Sequence, residues 1–166
     1  MKTYGAEPTS SPSRQRVGIA DFAVTADGAV LSTSGLGSCL GIGLHDERAG
    51  VAGLIHVMLP TAPDDVQNPA KYADTGIDAL LEAMADEGAT TEHVTAKMAG
   101  ASAMFDFDSQ DEPIGDRNVA VAREVLDRLC VPVEAADVGG DSGRSVRFHG
   151  DTGELCIVSG GTERCL

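Results

Sequence analysis

The chain reads as an α/β (α+β) domain, a layered sandwich of mostly antiparallel or mixed β-sheet with two main helices. Three observations predict it. Residues 40–57 alternate large apolar with small residues at the period of a strand pair. Ile77, Leu80, Leu81 and Met84, then Ala122, Val125, Leu126 and Leu129, recur at i, i+3, i+4 and i+7, the stripe of an amphipathic helix. The other apolar runs are short and bounded by Gly, Asp and Pro, which favours hairpins over repeated βαβ units.

In chain order, residues 1–15 are rich in Pro, Ser and Thr, without periodicity, and predict a flexible tail before a single domain over 16–166. Val17 to Ala23 and Ala29 to Ser34 read as strands joined by a hairpin turn at Asp27-Gly28. A second hairpin spans residues 36–57, closed by Met58-Leu59-Pro60, and a polar loop fills 61–68. Asn68 and Pro69 are placed as N-cap and first turn of the first helix, which Gly88 ends. His93 to Ala99 reads as a strand, Gly100 to Phe105 as a small-residue turn, and 106–113 as a strongly acidic loop. The second helix starts near Asp116, and Val131 to Val138 follows as a strand. Gly139 to Gly143 is a tight turn before a final hairpin of Ser145–His149 and Leu155–Ser159 around Asp151-Thr152-Gly153.

The central hairpin carries the chemistry. A four-residue loop at Asp46-Glu47-Arg48-Ala49 pairs His45 with Gly50 and sets Cys39 opposite His56, where side chains on one face lie about 4.5–5.5 Å apart. Leu40, Ile42, Leu44, Val51, Ile55 and Val57 then form one core-like face. Cys39, Gly41, Gly43, Ala52, Leu54 and His56 form the other, and its glycines suggest a groove over the thiol and imidazole. An ordinary hairpin with a buried free cysteine fits the same spacing.

Composition excludes several classes. Twenty-six acidic against twelve basic residues give a formal charge of −14, unsuited to nucleic acid and resembling adaptation to high salt. No transmembrane-length apolar run is present, and the first residues lack a signal-peptide core, which points to the cytoplasm. Cys39, Cys130, Cys156 and Cys165 contain no C-x-x-C pair, so a structural zinc is not expected, nor are disulfides in that compartment. Cys130 and Cys156 are expected in the core, and Cys165 exposed. No Walker-type G-x-x-x-x-G-K motif and no G-x-S-x-G elbow surrounds Ser38, and no H-x-x-x-H pair links His45, His56, His93 and His149. Asp137 fits a turn residue that bonds its own backbone, with a carboxylate near the site as the other reading.

Taken together, L-G-S-C at 36–39, G-L-I-H-V-M-L-P around His56, K-Y-A-D at 71–74, A-K-M-A-G-A-S-A-M-F at 96–105, I-G-D-R-N-V at 114–119 and D-V-G-G-D-S-G-R at 137–144 resemble the CheD family of chemoreceptor glutamine deamidases. The likeness runs from about residue 17 to 159, with Ser102 where that family usually has a second glycine. It implies a layered α/β sandwich similar to the catalytic core of cytotoxic necrotizing factor. It also implies a Cys–His site with a hydroxyl six positions before the cysteine, hence Cys39, His56 and Thr33. The implied reaction is hydrolysis of a glutamine side-chain amide through a thioester, and the same pair would cleave a glutamyl methyl ester. Imidazole would lower the thiol pKa, and backbone N–H groups around Gly37, Ser38 and Cys39 would hold the oxyanion. The implied substrate is an exposed helix of a chemoreceptor's cytoplasmic bundle. The implied partner is a CheC-type phosphatase that competes with receptor, and no metal or organic cofactor is called for. A non-catalytic module regulating CheC, and a cysteine hydrolase of small amides, are the rival readings.

Overall fold

In the computed structural model, residues 13–103 and 112–166 are described. Residues 1–12 of the expected tail, and 104–111 with most of the acidic loop, lie outside them. The strands are β1 (Arg14–Arg16), β2 (Asp21–Thr25), β3 (Val30–Leu36), β4 (Leu40–Asp46) and β5 (Val51–Val57). Helix α1 (Ala73–Asp86), β6 (Val94–Gly100), α2 (Ile114–Arg128) and β7 (Val133–Val138) follow. Last come β8 (Arg144–His149), β9 (Leu155–Ser159) and β10 (Thr162–Cys165).

Two five-stranded sheets result, ordered β2-β5-β4-β6-β7 and β10-β9-β8-β3-β1. All pairs are antiparallel except β6 with β7 and β1 with β3. The expected layered sandwich is therefore present, but the Asp27-Gly28 turn does not close a hairpin. It passes the chain from one sheet to the other: β2 pairs with β5, and β3 with β8. The turn is held instead by Thr25, whose hydroxyl donates to Asp27 Oδ1 and accepts from the Ala29 amide.

Every residue of β4 and β5 is buried, because this hairpin is covered on both faces. Leu40, Ile42, Leu44, Ile55 and Val57 pack with Ile77, Leu80 and Met84 of α1 and Val125 and Leu126 of α2. Each such side chain contributes about 1.5–3 kcal/mol when fully buried. Ala52 and Leu54 pack with Leu31, Leu36, Phe148 and Ile157 of the second sheet. The space beside Gly41 and Gly43, which suggested a groove over the thiol and imidazole, is thus filled. A Cβ on Gly43 would meet the Phe148 ring at 2.7 Å, so that glycine admits the other sheet and not a ligand.

The hairpin's two faces are as expected, but its register is not. Asp46 pairs with Val51 and Gly41 with His56, around the loop Glu47–Gly50. Asp46 is fully buried, and this fixes it as a strand end. Its Oδ1 accepts from Ala49 N at 3.0 Å, its Oδ2 from Thr90 N at 2.8 Å, and its carbonyl from Gly50 N at 2.9 Å. Gly50 supplies the positive φ of 70° that closes the loop. Moving the turn by one residue preserves the faces and puts Cys39 diagonal to His56.

Asn68 caps only a 3₁₀ turn, Pro69–Lys71, through Ala70 N, and α1 begins after Tyr72. At the helix ends, Ala89 N reaches Met84 O, and Val131 N reaches Leu126 O, the closing bond of a Schellman turn. The left-handed residue is Gly88 in α1 and Cys130 in α2. That cap position faces outward, so Cys130 is exposed and not in the core as expected. Cys156 is buried, yet it forms a disulfide with Cys165, which the expected absence of disulfides missed. The cause is β10, a strand absent from the sequence reading, which sets Cys165 directly opposite Cys156.

Candidate active site

The site lies where the two sheets meet at one end. Thr33 points inward from β3 just before a register break, and His56 points inward from β5. Thr33 Oγ1 lies 2.8 Å from His56 Nδ1 and 2.8 Å from the carbonyl of Val17. A carbonyl only accepts, so the single hydroxyl proton goes to Val17 O. Thr33 must then accept from His56 Nδ1–H. The neutral imidazole therefore carries its proton on Nδ1 and a bare lone pair on Nε2. That Nε2 is buried and has no hydrogen-bond partner among the described residues.

Cys39 is half-buried at the end of the bend that leads into β4, and it packs against the inter-sheet core. Three carbonyls of this bend are anchored. Gly37 O accepts from Ser102 N at 2.7 Å, and Cys39 O from Ala101 N at 2.8 Å. Ser38 O accepts from Asn118 Nδ2 at 2.9 Å, and the same amide bonds Met58 O at 3.1 Å. In a trans peptide the N–H points opposite to the C=O. The Ser38 and Cys39 amides thus turn away from these anchors, and neither has an acceptor among the described residues. Gly37 N is different: it donates to Gly35 O at 3.1 Å.

Gly100 lets this close packing happen. A Cβ there would stand 2.6 Å from Cys39 O, and its φ of 116° suits only glycine. Arg144 braces the same corner, donating to Gly100 O at 3.1 Å and Gly139 O at 2.9 Å. Asp137 lies in β7, not in a turn, and pairs with Arg144 at 3.4 Å and Arg164 at 3.7 Å. An open depression of about 430 Å³ borders the bend, lined by Gly35–Gly37 on one side and Gly143–Ser145 on the other.

Burial raises the Cys39 pKa above the usual thiol value and lowers that of His56. Both charged forms lose solvation, so the resting pair is a neutral thiol and a neutral imidazole. This corrects the expectation that the imidazole would lower the thiol pKa: desolvation dominates.

Sequence reasoning named Cys39 and His56, and the family likeness named Thr33; the structure brings Thr33 and His56 into contact. Sequence reasoning missed Asn118, fully buried on α2, and the Val17 carbonyl that orients the Thr33 hydroxyl. A buried Asn on a helix's apolar stripe, one turn before Ala122, was the available signal for the former. Nothing in the sequence marks a backbone carbonyl.

The fold and site define an α+β sandwich protein with a buried Thr33–His56 pair, the imidazole locked in one tautomer, and a carbonyl-anchored bend that carries a half-buried cysteine. A family model described as CheD, chemotactic sensory transduction, matches residues 58–159. The chain belongs to the CheD family. It is 53% identical to a protein of Haloarcula marismortui over 98% of both chains. It is 45% identical to one of Caldanaerobacter subterraneus subsp. tengcongensis, over 86% of this chain and 90% of that one. A third relative, from Natronomonas pharaonis, is 44% identical over 95% and 94%. All three bear the name "Probable chemoreceptor glutamine deamidase CheD". Among solved structures, a Neisseria meningitidis protein superposes with a TM-score of 0.48 at 16% identity, over 78% of this chain and 63% of that one, a distant likeness.

Proposed function

We propose that this chain is a protein-glutamine deamidase that converts glutamines of chemoreceptors to glutamate, with Cys39 as nucleophile and His56 as general base and acid. The observation that carries this reading is the Val17–Thr33–His56 chain, which leaves Nε2 as a buried base with no partner among the described residues. Cys39 Sγ attacks the amide carbon while its proton passes to His56 Nε2, so the neutral pair reacts without a standing thiolate. The Ser38 and Cys39 N–H groups donate to the developing oxyanion. On collapse the –NH2 group takes the proton back from the imidazolium and leaves as ammonia, giving a thioester and neutral His56. His56 then removes a proton from water, whose oxygen attacks the thioester, and glutamate departs as the thiol is restored. Thr33 keeps the imidazole in the tautomer that each step needs. A glutamyl methyl ester reaches the same thioester with methanol as leaving group.

The open depression reaches Gly37 but is not lined by Thr33, Cys39 or His56, so in this reading it serves as the approach for a protein side chain offered from outside. No helix of the described residues is long and apolar enough to cross a membrane. The proposal places the protein in the cytoplasm, acting on receptor helices there, with a CheC-type phosphatase as the partner that competes for it.

The test is ammonia release from a receptor cytoplasmic fragment, together with mass spectrometry of its glutamines, in high salt. Wild type should convert glutamine to glutamate, and Cys39→Ala and His56→Ala should not. If wild type binds receptor or a CheC-type protein without converting any glutamine, the chain is a binding module and the proposal fails.

A further inference from the structure

Away from the site, the outer face of the second sheet gathers soft and borderline metal ligands. Directly opposed residues share a face, and the register sets Arg147, Cys156 and Cys165 in one row across β8, β9 and β10. His149 lies two residues beyond Arg147 on the same face, and Glu154 enters from the loop before β9. The ligand atoms of His149, Glu154 and Cys156 lie within 4.8 Å of one another, and so do those of Cys156, Glu163 and Cys165. Ligands on one tetrahedral zinc stand roughly 3.3–3.8 Å apart, from bond lengths of about 2.0–2.3 Å. The two trios share Cys156 Sγ, so a four-ligand site needs Cys165 Sγ to swing toward His149 and Glu154 once it is released from Cys156.

We propose that this face is a thiolate–imidazole metal site for a zinc-like divalent cation, ligated by Cys156, Cys165, His149 and Glu154, and available when the Cys156–Cys165 disulfide is open. Glu163 is left out of the ligand set because it is engaged by Arg147. Glu154 is already turned to the sulfur: its Oε1 lies 3.7 Å from Cys156 Sγ. The His149 ring makes no hydrogen bond among the described residues, so both its nitrogens are uncommitted, although its backbone is fixed by Glu154 O at 2.9 Å. Two thiolates and one carboxylate around a dication leave one net negative charge, beside the Arg147 guanidinium. Thiolate with imidazole selects zinc or cobalt over the harder magnesium and calcium.

The site exists in two covalent states. In one the sulfurs bond each other. A dithiol reductant opens this bond by supplying two electrons and two protons, giving two thiols and the reductant's own disulfide. Metal binding then releases both thiol protons and places the cation between the sulfurs, so affinity falls as pH falls. Oxidation and metal loading therefore exclude each other.

Cobalt(II) is the probe, because its thiolate complexes absorb by charge transfer. The full chain carrying Cys39→Ala and Cys130→Ser, which removes the other two thiols, is titrated with cobalt(II) after reduction and after oxidation. The reduced chain is expected to take one equivalent, with charge-transfer absorption that zinc abolishes, and the oxidised chain none. His149→Ala keeps both thiols and should weaken binding by more than the about 10–100-fold cost of losing an outer-shell partner. A reduced chain without the absorption overturns the proposal. So does absorption that is unchanged in His149→Ala or that survives Cys165→Ser.

Discussion

Thr33 and His56 come from different sheets, 23 residues apart in the chain, and their side chains meet at 2.8 Å in the buried seam between those sheets. Neither residue has that meaning alone. The hydroxyl takes its direction from the Val17 carbonyl and passes it on, as a fixed tautomer, to the imidazole.

Removing the hydroxyl should cost activity through the tautomer. Thr33→Val keeps shape but leaves His56 Nδ1–H and Val17 O without a partner, and unsatisfied buried groups cost about 1–3 kcal/mol. We expect kcat to fall about tenfold or more and KM to change little, with Thr33→Ser restoring most of the rate. A Thr33→Val enzyme of wild-type kcat would remove Thr33 from the mechanism.

The pH profile follows from two neutral groups. Burial holds His56 below its ordinary value, so the base is lost only as pH falls below about 6.5. Cys39 titrates above the usual thiol value, so kcat/KM should stay flat through neutrality. The same shift affects folding. The unfolded chain binds a proton at His56 more readily than the folded one, so this stabilisation is present above about pH 6.5 and lost as pH falls through the folded value. An acid limb centred above pH 6.5 would mean a standing imidazolium and would contradict the neutral pair.

Asn118 should behave as a positioning residue. Asn118→Ala frees the Ser38 and Met58 carbonyls, and with them the peptide that aims the Cys39 amide. The expected loss is about 1–3 kcal/mol of stability, measured by denaturant unfolding. The drop in kcat should be larger than that in a core variant of equal instability, such as Val125→Ala on the same helix. Equal drops would reduce Asn118 to packing.

Asp46 anchors the register of the central hairpin. Burial alone would raise its pKa, but the amides of Thr90 and Ala49, the nearby His93 and the Arg48 backbone outweigh that and hold it below the usual carboxylate value. Its contribution is thus present above about pH 4 and lost as pH falls through the folded value. Asp46→Ala should lower stability by about 1–3 kcal/mol at neutral pH, and the gap to wild type should shrink in acid. A gap that is constant with pH would show that the carboxylate's charge contributes nothing.

Much was legible before any coordinates. The i, i+3, i+4, i+7 stripes of Ile77–Met84 and Ala122–Leu129 place both helices, and alternation over 40–57 assigns both faces of the central hairpin. Local periodicity decides which way a side chain points, because the backbone of each element repeats. The cysteine and histidine stood out as reactive types amid small residues, and the hydroxyl came from family likeness.

What the tertiary structure decided involves a second partner in every case. The hairpin's register depended on Asp46 being claimed by Thr90, 44 residues away. Gly43 serves Phe148 of the other sheet, Asp27-Gly28 joins two sheets, and Cys156 meets Cys165 only because β10 forms. The direction of the thiol pKa depended on how much solvent the two layers exclude, since desolvation by burial raises it. The sequence by itself determined both helices, the two faces of the central hairpin and the residue types that make Cys39 and His56 candidates. Their register, protonation and pairing were settled by packing, since each depends on atoms brought close only when the two sheets and the helices assemble.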